Sequence, residues 1–127
     1  MIYNDLIRQI LLAIIGSTFI AFALWALIKP ELLATTLGYE LKTKNAFSEF
    51  YAIYIGVFIA QSLLCALAFT RVQDAVIGDL VALFLLSQPA GRLIAIMRKG
   101  FPSGVLLMLF AMELAGGIIL LVVRPNI

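Results

Sequence analysis

Four runs of apolar residues, each about as long as a bilayer core is thick, decide what this 127-residue chain can fold into. About 20 residues of α-helix cross a hydrocarbon layer of about 30 Å. The runs at about 11–28, 47–69, 75–97 and 103–123 have that length. In lipid every backbone N–H and C=O must find its partner inside the protein, so runs of this kind fold as helices. With 64% hydrophobic and 13% charged residues, the composition excludes a soluble domain of this size. The expected fold class is all-α: residues 1–127 form a single domain, an integral membrane four-helix bundle, multi-pass in the cell membrane with the lipid bilayer as its first partner.

The punctuation between the runs sets the connections. Arg8 and the pair Lys29, Pro30 mark the ends of the first span, because a lysine anchors in the headgroups and a proline cannot continue the helix. The N-terminal apolar run lacks a small-residue cleavage site and is read as a retained first span. Pro30, Glu31 and Gly38 predict a short interfacial helix between the first and second spans, since Pro and an acid suit its first turn and Gly its end. Asn45 is a candidate N-cap for the second span. Arg71 and Asp74 lie in a connection that only antiparallel neighbours can share, and Arg98, Lys99 and Gly100 close the third span in a tight hairpin with the fourth. Both termini then face the same side. Arg8, Arg71 and Arg124 lie there, against Lys29, Lys42, Lys44, Arg98 and Lys99 opposite, so the positive-inside rule places both termini extracytoplasmic.

Several chemistries drop out. The chain has no histidine and a single cysteine, Cys65, so the usual zinc, haem and iron–sulfur ligand sets are missing and no metal or cofactor is expected. Nine basic residues face seven acidic ones without a polybasic tract, so no nucleic acid partner is expected.

The polar residues inside the spans form the candidate site. Gln61 lies mid-way along the second span with Tyr54 two turns earlier; Gln88 and Arg92 lie in the third; Glu113 lies in the fourth. Gln61, Ser87 and the glycines Gly116 and Gly117 are also what a plain helix bundle uses as glue and close-packing points. Glu49 and Asp79 lie about one turn inside their helices, where a carboxylate reaches water or pairs with Lys44 or Arg71. Glu113 differs, because at about 1.5 Å per residue it is roughly 15 Å from either surface and cannot reach water. Arg92 is roughly 9 Å deep on the side of the hairpin turn. Helical side chains lean toward their own N-terminus, so in an antiparallel hairpin these two lean toward each other. Pro89 offers Arg92 a competing structural role, since its ring leaves carbonyls near Leu85 without partners. It also predicts a bend between Leu85 and Gly91.

The segments LGYELKTKNAFSEFYAIYIG, GRLIAIMRKGFPSG and MELAGG resemble those of a family of small four-span bacterial membrane proteins catalogued as a domain of unknown function. The layout is also similar to the wider DoxX-like group. The resemblance covers nearly the whole chain and implies the fold without an activity; the quinone-linked complexes associated with some DoxX-like relatives have no separate signature in these residues. The expected function is a non-catalytic one: an accessory subunit with a membrane-protein or homo-oligomeric partner, or a bundle that binds a small apolar ligand. The alternatives are a membrane enzyme acting on a lipid or isoprenoid through a buried carboxylate, and a small transporter using Glu113 and Gln61. The first would use Glu113 as a buried acid or base with Arg92 or Tyr54 stabilising charge, but a single isolated carboxylate is a weak signal for it; the second lacks an internal repeat.

Overall fold

The structure, a computed structural model, describes residues 1–126. A two-residue strand, β1 (Ile2–Tyr3), leads into α1 (Asp5–Ile28), the short α2 (Pro30–Leu37), α3 (Lys44–Thr70), α4 (Ala75–Lys99) and α5 (Val105–Val122). A second two-residue strand, β2 (Val123–Arg124), follows. α1, α3, α4 and α5 are long and apolar enough to cross a membrane, and only 17–28% of their most apolar windows is buried within the chain, so most of their apolar surface is left for lipid. The protein is a multi-pass membrane bundle.

Caps explain where the helices begin. Asn4 Oδ1 accepts from the Ile7 amide at 3.1 Å, which starts α1 six residues before the apolar run itself. Thr43, not Asn45, caps α3: its Oγ1 accepts from the Ala46 amide at 3.0 Å. Asp74 caps α4 through the Val76 amide at 3.2 Å. The fourth helix is shorter at both ends than its apolar run, and its last residues turn extended to form β2. α2 ends at Gly38 as its sequence requires, and its Leu33, Ala34 and Leu37 are buried against the bundle.

α1 packs most extensively along α3, and α4 along α5; α3 joins the two pairs through α4, while α1 and α5 meet only sparingly. Small residues set both close pairs. Ser62 Oγ donates to the Gly16 carbonyl at 3.1 Å between α3 and α1, and a Cβ on Gly117 would collide with Leu86, so only glycine lets α5 approach α4 this closely.

The chain ends are joined in a way the sequence did not suggest. β1 and β2 pair in parallel, Ile2 with Val123 and Tyr3 with Arg124. Beneath this pairing lies Arg8, which is not a solvated span end as expected but is 1% exposed. Its Nη1 donates to the Leu120 and Val123 carbonyls at 2.8 and 2.6 Å, and its Nη2 to the Ala75 carbonyl and Asp79 Oδ1 at 3.1 and 3.2 Å. Two of these acceptors are carbonyls at the C-terminal end of α5, which lack helical partners and carry the negative end of the helix dipole. Gly78 makes the room, because a Cβ there would fall on the Arg8 guanidinium. Asp79 also receives Arg124, with Nη1 to Oδ1 at 2.5 Å and Nη2 to Oδ2 at 3.1 Å. Asp79 is thus neither a plain solvated helix end nor a partner of Arg71: β2 delivers Arg124 to the start of α4 from across the bundle, and Gly78 admits Arg8 beside it. Hydrogen bonding to Asp79 holds the Arg124 guanidinium above its ordinary pKa.

Replacing Arg8 strands buried carbonyls, whereas replacing Arg124 removes a partly exposed partner. Arg8→Leu is expected to destabilise the bundle by about 2–4 kcal/mol and Arg124→Leu by about 1 kcal/mol. Thermal or denaturant unfolding of the two variants in one detergent checks the order.

Candidate functional site

Where α1 and α5 diverge, a cavity of about 150 Å³ opens between all four spanning helices. Its wall is mostly apolar, with Ile15 and Phe19 from α1, Phe58 from α3 and Leu85 from α4. Ile14 and Met112, also on the wall, are 59% and 50% exposed, so the cavity opens sideways between α1 and α5 onto the surface that faces lipid. Tyr54, Gln88, Arg92 and Glu113 supply its polar atoms together with Thr18.

Arg92 and Glu113 meet there. Arg92 Nε donates to Glu113 Oε1 at 3.0 Å, joining α4 to α5. Glu113 is 8% exposed as a residue, and it lies eight residues from one end of α5 and nine from the other. That is about 12–14 Å of helix on each side, close to the bilayer centre. Arg92 engages this carboxylate, not a carbonyl freed by Pro89, and α4 is continuous from Ala75 to Lys99 with Pro89 inside it.

Tyr54 reaches the cavity from an irregular turn. Residues Ala52–Val57 of α3 form a π-helical segment, which carries an extra residue in the turn and re-aims the side chains around it. Tyr54 is buried, its ring is 4.6 Å from that of Phe50 and 5.1 Å from that of Phe58, and its hydroxyl lies 3.5 Å from that of Tyr39. The three tyrosines of this region do not form one interfacial belt: Tyr54 lines the cavity, Tyr39 backs it, and Tyr51 is exposed.

The structure thus brings four of the five candidate residues to one cavity and leaves out the fifth. Gln61 is 5% exposed and its Oε1 has no hydrogen-bond partner among the described residues, but it is not on the cavity wall. It shares a helix face with Tyr54 yet lies seven residues along α3, about 10 Å nearer the chain ends. Gln88 lines the cavity without a side-chain bond to Arg92 or Glu113. Among the described residues no three His, Cys, Asp or Glu side chains come together as a metal site.

Comparison with known proteins matches residues 7–124 to a family model described as Domain of unknown function (DUF4345), and the chain belongs to that family. The matched region spans the Arg8 cluster and the cavity alike. No curated protein and no solved structure matches the chain.

Removing Glu113 alone would leave Arg92 as an uncompensated charge deep in the bundle. Glu113→Ala is expected to cost about 3 kcal/mol, and Glu113→Ala with Arg92→Leu to recover part of that loss. A double-mutant cycle on unfolding free energies reads the coupling; additive losses would show that the pair contributes nothing as a pair.

Proposed function

We propose that this member of the DUF4345 family is a non-catalytic membrane protein that binds a small apolar or amphiphilic molecule inside its bundle. The observation that carries this reading is the cavity: it is apolar, walled by all four spans, and open toward lipid between Ile14 and Met112. A ligand site of this kind combines an apolar wall with a few polar groups that fix orientation. Glu113 is the one carboxylate on the wall and is already engaged by Arg92, which supports binding over acid–base chemistry. Both chain ends facing away from the cytoplasm belongs to the same reading, supported by the excess of basic residues at the opposite end of the bundle.

Filling the cavity tests the proposal. Thr18→Trp adds bulk at the wall and leaves Arg92 and Glu113 unsubstituted. Organic extracts of the purified wild type are expected to contain a tightly held small molecule by mass spectrometry, reduced about tenfold or more in the variant, since losing roughly 1.4 kcal/mol of contact already weakens binding tenfold. A folded Thr18→Trp protein that retains the molecule in full would refute it.

A further inference from the structure

The two arginines inside the bundle differ in one respect that points to the ligand. Arg8 places four hydrogen bonds from its terminal nitrogens on protein acceptors. Arg92 uses its Nε alone; its two terminal nitrogens have no protein partner among the described residues, although the residue lies on the cavity wall. A guanidinium carries five N–H donors and no acceptor, and the Arg92 side chain, 23% exposed, keeps its terminal nitrogens accessible to a ligand. Glu113 is in the complementary position, with Oε1 engaged and Oε2 free of any protein partner among the described residues. The cavity wall therefore offers donors from Arg92 and an acceptor from Glu113 side by side.

Charge and size then restrict what fits. Arg92 and Glu113 already neutralise each other, so an added carboxylate or phosphate would bring an unbalanced negative charge beside Glu113 in a medium of low dielectric. A hydroxyl group meets both needs: its oxygen accepts from Arg92 and its proton goes to Glu113 Oε2. The cavity of about 150 Å³ is too small for a whole lipid; an apolar cavity of about this size holds one benzene. The remainder of a longer molecule must leave through the opening between Ile14 and Met112, where it meets the bilayer.

We infer that the ligand is a neutral single-chain lipid whose hydroxyl-bearing end enters the cavity and bonds to Arg92 and Glu113 while its chain trails into the bilayer between α1 and α5. This rests on the ligand-binding reading above and adds the ligand's class and direction of entry. The probes are a monoacylglycerol and a fatty acid of equal chain length, each with a diazirine near the head, photolysed with the full chain in phosphatidylcholine nanodiscs after co-purified small molecules have been stripped from it. The pH is held at about 9, where the acid is ionised even after burial raises its pKa. The monoacylglycerol is expected to label α1 and α5 at the cavity wall about tenfold more than the ionised acid, because a hydrogen bond to a charged group is worth roughly that factor. That labelling is expected to fall by a similar factor in Arg92→Leu/Glu113→Leu. Equal or stronger labelling by the ionised acid, or undiminished labelling of the folded double variant, overturns the head-group assignment while leaving a ligand-binding cavity. Absence of cavity labelling by both probes overturns the assignment and the reading beneath it. If the double variant fails to fold, the wild-type preference between the two probes decides alone.

Discussion

One guanidinium ties the two ends of this chain to the middle of it. Arg8 reaches across the bundle to the last carbonyls of α5 and to the first turns of α4, and its burial is tolerable because each terminal nitrogen finds acceptors there. Asp79 then couples the same knot to Arg124 and so to the β1–β2 pairing. Helices in lipid have no hydrophobic drive to associate, since acyl chains are as apolar as leucine. Polar contacts and close backbone approach must do that work, and the Arg8 cluster concentrates several of them at one end.

Fastening the bundle at that end has a consequence further along. α1 and α5 are held together where Arg8 meets Leu120 and Val123, but they meet only sparingly elsewhere, and the space between them becomes the cavity. The second ion pair, Arg92–Glu113, bridges α4 and α5 beside that space instead of spanning it. The π-helical turn of α3 brings Tyr54 to the same wall. The bundle thus has a polar cluster at its closed end, where the terminal nitrogens of Arg8 are bonded to protein, and a second polar pair next to an opening, where those of Arg92 are not.

The four spans were legible because a bilayer demands long apolar helices, and the Arg92–Glu113 site was legible because charges so deep cannot reach water. The Arg8 cluster was not. A cation near a span end ordinarily extends into the headgroups, and nothing in the first span alone distinguishes one that turns inward. The signal lay elsewhere in the chain, in Gly78 followed by Asp79, and it has meaning only once α1 and α4 are adjacent. Gln61 was grouped with Tyr54 because both are polar residues inside the second span, but seven residues of rise separate them along α3. The N-cap of α3 shifted from Asn45 to Thr43 for a local reason: either side chain can cap, and the helix begins early enough for threonine to reach the amide of Ala46.

The account turns on the terminal nitrogens of Arg8 being bonded to protein and those of Arg92 not, and guanidinium NMR of the arginine-labelled protein in nanodiscs reads that difference directly. Hydrogen-bonded terminal nitrogens rotate slowly about their bonds to the central carbon and exchange slowly with water. The account predicts separate, protected Nη signals for Arg8 and, in protein stripped of co-purified small molecules, averaged Nη signals for Arg92 that sharpen when a neutral hydroxyl lipid is added. Averaged, rapidly exchanging signals for Arg8, or protected signals for Arg92 in the stripped protein before lipid is added, would contradict it.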